Sequence, residues 1–389
     1  MSTAWHYLDH AASSPLRPEA RVALDAALDA GFGNPSGAHA LARAGRAALD
    51  DARAELAALV GAAPGDIVFT SGGTEADNLA VRGVLAARGG TAVCTAIEHK
   101  AVLEPVRQSG GRIVPVDDHG LVDLDALAAS LDDTVTLVSV GLVNNEIGTV
   151  QRLDDVAAVV RARAPQAAIH TDAAQAMTWL DVGQAAASAD LITLASHKCG
   201  GPVGVGVLVV RAGLTIGAQQ VGGGQERERR SGTQDVASAV AFAAAARAAV
   251  SQRHALGARA RAWRDELVTA IGAAVEDTRE SAVPHGSSRD HLVAGVANVC
   301  LPQVDSEALL FLLEHDHRVL ASAASSCASG AQEPSHVLAA IGIDRSRASG
   351  SLRLSLGWST VQADIDAARD AVPAAVARLQ AHSRDGAPA

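Results

Sequence analysis

Short runs of apolar and β-branched residues recur between residues 67 and 210, and no other feature restricts the fold as strongly. Patterns typical of helices, such as 124–130 and 154–163, separate several of these runs. Strands that alternate with helices are typical of α/β domains built on a parallel sheet. The sequence therefore predicts an α/β fold with a seven-stranded, mainly parallel sheet. The predicted strands are 67–70, 91–95, 112–116, 135–141, 167–170, 191–194 and 204–210.

The C-terminal part of the chain has a different pattern, which predicts a second domain. A chain of 389 residues is too long for one compact core. Alanine-rich segments at 236–251 and 258–274 predict helices that lead out of the large domain. From about Glu276 onward, a strand at 292–299, helical patterns and a strand at 352–356 predict a smaller α+β domain.

Charge and hydropathy exclude several classes of protein. The net charge of −11 argues against a nucleic-acid surface, where a basic face supplies most of the affinity. We therefore expect no direct nucleic-acid binding. No apolar stretch reaches the roughly 20 residues of a membrane span, and residues 1–6 show no signal-peptide pattern. We expect a protein without membrane segments.

The cysteine pattern indicates a reducing environment. Cys94, Cys199, Cys300 and Cys327 lie far apart in the sequence, and no CxxC pair exists. This spacing disfavours both a structural zinc site and a disulfide framework. The HDH segment at 315–317 is more typical of a surface helix end than of a metal site, so we predict no metal. A cytoplasmic location is predicted.

Lysine is nearly absent from the chain. The chain has 32 lysines and arginines in total, and only two of them, Lys100 and Lys198, are lysines. Where arginine supplies ordinary positive charge, a lysine is expected at a position that arginine cannot serve. An amine can lose its proton and form a Schiff base with an aldehyde, whereas a guanidinium cannot. Lys198 follows the apolar run 191–194 and is the candidate for this role, with an ordinary surface lysine as the alternative.

Two upstream segments place Lys198 in the pattern that a pyridoxal phosphate site requires. Asp172 follows the apolar run 167–169. A carboxylate there can keep the pyridine nitrogen protonated, so that the ring works as an electron sink. The strand 67–70 leads through the glycine turn 71–75 into a helical pattern, where free amides favour a phosphate. The three elements in this order predict a cofactor site.

Short motifs extend this pattern over nearly the whole chain. They are YLDHAA at 7–12, GNPS at 33–36, SGGTE at 71–75, EHK at 98–100, VNNEIG at 143–148, HTD at 170–172, SHK at 196–198, GGGQER at 222–227, RSGT at 230–233, SSC at 325–327, EPS at 333–335 and RLSLG at 353–357. With these motifs the chain resembles the cysteine desulfurases of the NifS/IscS type, within class V of the fold-type I pyridoxal phosphate enzymes. The resemblance implies a large domain at 16–257 and a small domain formed by 1–15 and 258–389. It also implies a homodimer.

The resemblance implies roles for the residues around the cofactor ring. Lys198 would hold pyridoxal phosphate covalently and then act as the base that moves the α-proton. Asp172 would pair with the pyridine nitrogen, while Gln175 and Asn145 would hydrogen-bond the ring oxygen. His99 would stack on the ring and is suited to proton transfer, since an unperturbed histidine has a pKa of about 6.5. The alternative is that His99 has no role at the cofactor and only forms hydrogen bonds within its own loop.

A second group of residues is expected at the cofactor phosphate. The family positions are Gly73, Thr74, His197 and Thr233, the last of which reaches the phosphate from the other subunit of a dimer. One position departs from the family pattern. Many relatives have Ser-x-His-Lys, whereas this chain has Ala195 at the serine position. Ala195 has no hydroxyl, so this phosphate contact is either missing or replaced by Ser196 or water.

The substrate implied by the resemblance is L-cysteine. Arg353 would hold its carboxylate, because a guanidinium and a carboxylate form two parallel hydrogen bonds. A salt-bridging strand arginine is the alternative. Asn34 and Asn145 match residues beside the substrate. Cys327 lies in a stretch of Gly, Ser and Ala with little to bury, and it is the predicted nucleophile that receives the sulfur as a persulfide.

The implied activity is that of a cysteine desulfurase, which makes L-alanine and passes sulfur to an acceptor protein. The acceptor candidates are an iron–sulfur scaffold, a tRNA-thiolation carrier and the proteins of a DNA phosphorothioation system. A selenocysteine lyase or a class V aminotransferase on the same scaffold is one alternative, although an aminotransferase has no use for Cys327. A catalytically idle scaffold that binds partners is the other, and the complete set of site residues argues against it. The remaining cysteines are expected to pack in the interior.

Overall fold

Strands and helices alternate along most of the chain. The computed structural model describes residues 5–31, 33–284, 287–323 and 335–385. The strands within these ranges are β1 His6–Tyr7, β2 Ile67–Thr70, β3 Thr91–Thr95, β4 Arg112–Val114, β5 Val135–Ser139, β6 Ala168–Asp172, β7 Leu191–Ala195, β8 Gly206–Val210, β9 Arg279–Glu280, β10 Val296–Cys300, β11 Val319–Leu320 and β12 Ser351–Ser355. The helices are α1 Pro18–Asp29, α2 Ala40–Leu59, α3 Gly73–Arg88, α4 Lys100–Gln108, α5 Leu124–Ala129, α6 Leu153–Arg163, α7 Val182–Ala185, α8 Val236–Ala274, α9 Ser306–His317, α10 His336–Ala340, α11 Arg345–Ala348 and α12 Gln362–Asp385.

The predicted seven-stranded sheet is present and mainly parallel. Its strand order is β2-β8-β7-β6-β5-β3-β4. Strand β8 runs antiparallel to both of its neighbours, while the other pairs in this sheet are parallel. Val, Leu and Ile dominate the buried strands, as expected where helices cover both faces of a sheet. The predicted α/β class is confirmed, with strands shorter than expected at 112–116, 135–141 and 204–210.

The register of β6 and β7 positions the predicted cofactor residues. Asp172, the last residue of β6, pairs with Thr193 of β7. Lys198 follows the end of β7 in a 3₁₀ turn, Ser196–Lys198. In open α/β sheets, ligands bind in the crevice outside the carboxyl ends of the strands. The two residues therefore share one edge of the sheet.

A second core forms in the C-terminal part of the chain. Strand β10 lies between β9 and β12, antiparallel to both. Leu267 of α8, Val299 of β10, Leu354 of β12 and Val372 of α12 are buried in one apolar cluster. Because α8 runs without a break through residue 258, the predicted division of the chain at that residue stays a prediction.

Helix α8 differs from the sequence prediction. We predicted separate helices at 236–251 and 258–274, whereas α8 is continuous from Val236 to Ala274. The intervening segment contains Gly257, which costs only about 1 kcal/mol relative to alanine in a helix interior. Leu256 is buried beside it, and such packing offsets that cost. Among the described residues, no helix is both long and apolar enough to cross a membrane.

The N-terminal segment connects the second core to the edge of the large sheet. Strand β1 pairs in parallel with β11, and Leu8 is buried in the second core. Ser355 N donates to Leu8 O at 2.7 Å, and Ala11 N donates to Ser355 Oγ at 2.9 Å. Gly357 is required here, since a Cβ at that position would lie 2.0 Å from His10 Nδ1. This close packing holds the segment beside the carboxyl ends of β6 and β7.

A buried ion pair fixes the strand that leads into the glycine turn. Arg53 Nη1 and Nη2 donate to the Glu226 carboxylate at 2.7 and 2.8 Å. Glu226 also accepts from Phe69 N in β2 at 2.9 Å, and Arg53 Nη1 donates to Ile67 O at 2.7 Å. Since both charges are buried, loss of either partner would leave an uncompensated charge. The pair therefore ties α2 and β2 to the loop that contains Glu226.

Candidate active site

A cavity of about 350 Å³ opens where the carboxyl ends of β6 and β7 meet the start of α3. Its walls contain most of the predicted site residues, which come from well-separated segments of the chain. They are Gly73, Thr74, His99, Asn145, Asp172, Gln175, His197 and Lys198. Asp77, Glu98 and Ala195 also line the cavity.

The amine of Lys198 lies in this cavity. Its Nζ donates to the backbone oxygens of Ala11 at 2.7 Å and Ala12 at 3.0 Å. The pKa of Lys198 is lowered to about 8, mainly by burial and also by the charge of Arg353, while the two nearby carboxylates of Asp172 and Asp9 partly oppose this shift. The uncharged amine is the form that attacks a carbonyl. A buried amine with this pKa is therefore chemically suited to Schiff-base formation near neutral pH.

Asp172 and His99 face the same small space. Oδ1 of Asp172 accepts from Ala174 N at 2.9 Å. His99 caps α4, and its Nδ1 accepts from Ala101 N at 3.2 Å, which places the ring proton on Nε2. Burial lowers the pKa of His99, so its ring is neutral near pH 7. Polar atoms of Asp77, His99 and Asp172 lie within 4.8 Å of one another.

A buried polar cluster lies behind Asp172. Burial raises the pKa of Asp77 well above its usual value, and the charge of Asp172 raises it further. His170 contacts Ser139 Oγ at 2.8 Å and Thr193 Oγ1 at 3.1 Å, and burial lowers the pKa of His170 to about 3. The ring of His170 is therefore neutral, and its Nε2 lies 3.7 Å from Asp77 Oδ1. The raised pKa of Asp77 reduces the charge repulsion between the two neighbouring carboxyls.

Two glutamates near the cavity are also affected by burial. Burial raises the pKa of Glu98 to about 7 and that of Glu146 to about 7. Oε1 of Glu98 accepts from Thr95 Oγ1 at 2.6 Å and from Gly141 N at 2.9 Å, while its Oε2 has no partner among the described residues. Glu146 accepts a hydrogen bond from Ser335. Both carboxyls change their protonation state near neutral pH.

The start of α3 provides an anion site. Gly72 has a φ of 149°, which residues with a side chain rarely adopt, and α3 begins at the next residue. The first N–H groups of a helix have no partner within the helix, and the helix dipole makes that end positive. Gly73, Thr74 and His197 line the cavity there. Burial lowers the pKa of His197 to about 4, so this ring is neutral.

Ser196 does not line the cavity, although Ala195 does. Its side chain is fully buried, and its Oγ has no partner among the described residues. The Oγ faces Gly201, where a Cβ would lie only 2.1 Å away. The predicted contact between Ser196 and a phosphate stays a prediction, and the placement of the hydroxyl does not support it.

Arg353 approaches the cavity from β12. Its Nη1 donates to the backbone oxygen of Asn145 at 3.0 Å, and its Nη2 donates to Asp9 Oδ1 at 2.8 Å. Nε is buried and has no partner within the described part of the chain. The guanidinium therefore lies behind the cavity wall at Asn145 with one donor still open.

Two more of the predicted residues do not line this cavity. Asn34 and Thr233 line a separate cavity of about 300 Å³, together with Gly33 and Gln234. Cys327 lies outside the described residues. A single chain therefore places Asn34 and Thr233 near each other but away from Lys198.

The other cysteines are free and buried. Burial raises the pKa of Cys199 to about 12, and it also raises the pKa of Cys94 and of Cys300. A buried thiol of this kind is protonated and inert, since the thiolate is the nucleophile. The predicted packing role of these three cysteines is consistent with this placement.

Sequence reasoning missed three acidic residues at the site. Asp77 and Glu98 line the cavity, and Asp9 pairs with Arg353. One signal was present for Asp77, which follows Gly73 by one helical turn in an alanine-rich helix whose apolar face is buried. A charged residue on such a face needs a partner or a raised pKa. For Asp9, only the fold shows the contact.

Comparison with known proteins identifies relatives over nearly the whole chain. The sequence matches the family described as aminotransferase class-V over residues 6–368. The IscS-like cysteine desulfurase of Mycobacterium tuberculosis is 40% identical, and the match covers 96% of this chain and 97% of that protein.

Solved structures agree with this relationship. A protein described as NifS-like superposes with a TM-score of 0.88 at 28% identity, covering 96% of this chain and 100% of the other. DndA from Streptomyces lividans superposes with a TM-score of 0.74 at 30% identity, covering 88% of this chain and 97% of the other. The fold-type I architecture implied by the sequence motifs is therefore confirmed.

Glu98→Gln should reduce the pH dependence of the stability of the apoprotein. Because folding raises the pKa of Glu98 from 4.5 to about 7, the fold favours its protonated form. This stabilisation is complete below the unfolded pKa and is lost as the pH rises through the folded pKa. At about 1.4 kcal/mol per pKa unit, the wild type should lose about 2 to 3 kcal/mol more than the variant between pH 5 and pH 8. Urea unfolding measures this difference.

The matched control is Glu104→Gln, which changes an exposed carboxylate on α4. It should retain the pH dependence of the wild type. Equal losses of unfolding free energy in the wild type and in Glu98→Gln would contradict the assignment of a buried, protonated Glu98.

Proposed function

The chain belongs to the class-V aminotransferase family, and we propose that it is a pyridoxal phosphate-dependent cysteine desulfurase. The observation that carries the proposal is the buried amine of Lys198, with a pKa near 8, in one cavity with Asp172 and His99. The relative named as an IscS-like cysteine desulfurase, at 40% identity, supports the choice of substrate.

The donors of the cavity fit pyridoxal phosphate. Lys198 offers an amine for the aldehyde, Asp172 a carboxylate for the pyridine nitrogen, and the start of α3 free N–H groups for the phosphate. Two buried carboxyl oxygens of residues in the cavity wall, Asp77 Oδ1 and Glu98 Oε2, have no hydrogen-bond partner among the described residues. When bound, the cofactor supplies an electron sink for the electron pair that remains after the substrate loses its α-proton.

Residues on several elements would hold the cofactor. Gln175 and Asn145 line the wall beside Asp172, and their side-chain amides would bind the ring oxygen. The phosphate residues would be Gly73, Thr74, His197 and, from the partner subunit, Thr233. His99 would cover one face of the ring, because a neutral imidazole packs on an aromatic face without the cost of burying a charge.

Lys198 would also move the proton. Once the amine of the substrate has taken the place of the Lys198 amine, the Lys198 amine would be free to take the proton from the substrate Cα and to return it. The lowered pKa supports this role, because a base with a pKa near the working pH transfers protons efficiently in both directions. The backbone oxygens of Ala11 and Ala12 would keep the released amine within the cavity.

Arg353 would bind the α-carboxylate of L-cysteine, with Asn145 and Asn34 beside the substrate. The thiol of Cys327 would then attack the substrate sulfur. The new S–S bond forms as the substrate C–S bond breaks, so that one L-cysteine and one enzyme thiol give one L-alanine and one persulfide. The buried, protonated Cys94, Cys199 and Cys300 are poor alternatives.

The sulfur acceptor is part of the proposal. Relatives named IscS and the structural neighbour DndA support the candidates predicted from the sequence, namely an iron–sulfur scaffold, a tRNA-thiolation carrier or a protein of DNA phosphorothioation. We propose that an acceptor protein, rather than nucleic acid, meets this chain, since its net charge is −11. A reducing, cytoplasmic location would keep the thiols free.

Cys327→Ser should separate the two halves of the reaction. The variant should keep the colour of the cofactor and its spectral response to L-cysteine, because neither step uses this thiol. It should form no persulfide, and L-alanine release should fall roughly a hundredfold or more. Labelling with radioactive-sulfur cysteine, together with an alanine assay, measures both. An aminotransferase would instead release a keto acid and be indifferent to this substitution.

The control is Cys199→Ser, which should still acquire the label. Label that persists in Cys327→Ser and disappears in Cys199→Ser would move the nucleophile to Cys199 and contradict the proposal.

A mixed dimer tests the proposed contribution of Thr233 across a subunit boundary. One chain carries Lys198→Ala, and its differently tagged partner carries Thr233→Asp, whose charge should repel the phosphate. If Thr233 acts on the opposite site, one site of the mixed dimer has both defects and the other has none, so about half of the wild-type activity returns. If Thr233 acts on the site of its own chain, both sites are defective and no activity returns. Each parental homodimer should be inactive.

A further inference from the structure

Asp9 pairs with Arg353 at the place proposed for the substrate carboxylate. Asp9 Oδ1 accepts from Arg353 Nη2 at 2.8 Å, and the two side chains are 21% and 6% exposed. The backbone of Asp9 also forms a parallel bridge with Ser355 of β12. Asp9 is therefore a fixed counter-ion of a nearly buried guanidinium.

The three guanidinium nitrogens of Arg353 differ in their hydrogen-bond partners. Nη1 donates to Asn145 O at 3.0 Å, while the buried Nε has no partner within the described ranges. A carboxylate binds a guanidinium most strongly through two parallel hydrogen bonds. With Nη1 engaged, a carboxylate would need Nη2 together with the buried Nε to form two such bonds. Asp9 already occupies Nη2.

The turn that carries Asp9 also contacts Lys198. Tyr7 Oη donates to the backbone oxygens at the two ends of this turn, at 3.1 and 2.7 Å. Within the turn, the oxygens of Ala11 and Ala12 accept from Lys198 Nζ. The turn therefore contacts both groups that would bind an amino acid, Arg353 through the Asp9 carboxylate and Lys198 through two backbone oxygens.

We propose that Asp9 is a specificity-determining residue whose carboxylate competes with the substrate α-carboxylate for Arg353. The inference rests on the proposed function, in which Arg353 receives that carboxylate. A ligand with a carboxylate has to displace Asp9 from Nη2 or share this donor, which brings two like charges together. A ligand without a carboxylate leaves the pair intact. Asp9 thus weakens the binding of carboxylate ligands selectively, which favours the release of L-alanine.

Asp9→Asn in the holoenzyme tests this competition. Asparagine keeps the shape of the side chain and an acceptor for Nη2 but removes the charge. Titration with L-alanine and with L-alaninamide, followed by the visible absorbance of the bound cofactor, gives a dissociation constant for each ligand. The ratio of the two constants cancels any effect of Asp9 on the amine of Lys198. We expect the preference for L-alanine to rise about tenfold, and Asp9→Ser should shift it in the same direction.

Asp265→Asn is the matched control. Asp265 Oδ1 also lies 2.8 Å from a buried arginine, Arg264. Arg264 donates to Val293 O rather than to a residue of the cavity wall, so the preference should equal that of the wild type. Arg353→Gln should abolish the preference whether or not Asp9 is changed. A preference that is unchanged or reduced in both Asp9→Asn and Asp9→Ser overturns the inference alone. A preference for L-alanine that Arg353→Gln leaves intact overturns the proposed substrate site together with the inference.

Discussion

Burial of the Lys198 amine is the constraint on which the rest of the site depends. Removal of an ammonium from water lowers its pKa, here to about 8. This value already includes the neighbouring charges, since Arg353 lowers the pKa and Asp172 and Asp9 raise it. The fold has to place all of these groups around one amine and still leave a cavity in front of it.

The fold achieves this by bringing together parts that are distant in sequence. The register of β6 and β7 places Asp172 beside the lysine turn. The N-terminal segment packs on β12 and offers its backbone oxygens to Lys198. The packing of Gly357 against His10 makes this approach possible. The chemistry of the large sheet therefore depends on the packing of the second core.

Local pattern was sufficient to predict the sheet and to place Asp172 and Lys198 after neighbouring strands, because parallel strands deliver their following residues to one edge. Charge states were not predictable in this way. The raised pKa values of Asp77 and Glu98 depend on burial by residues far away in the sequence. The orientation of Ser196 depends on its contact with Gly201.

Contacts that involve a second chain are a separate case. Thr233 lines a cavity with Asn34 that lies apart from Lys198, so one chain does not test the roles that the family resemblance implies for these two residues. The Asp9–Arg353 pair shows the opposite situation. Its two residues are separated by most of the chain, and no local pattern connects them.

The most direct test of the account uses the fact that the chain has only two lysines, Lys100 and Lys198. Lys100 lines a cavity beside His99 and is therefore a true competitor. Holoenzyme is reduced with borohydride, digested and analysed by mass spectrometry. The account predicts the mass of the reduced cofactor on the peptide that contains Lys198 and none on the peptide that contains Lys100. An adduct on Lys100, or a holoenzyme that retains no covalent cofactor after reduction, would contradict it.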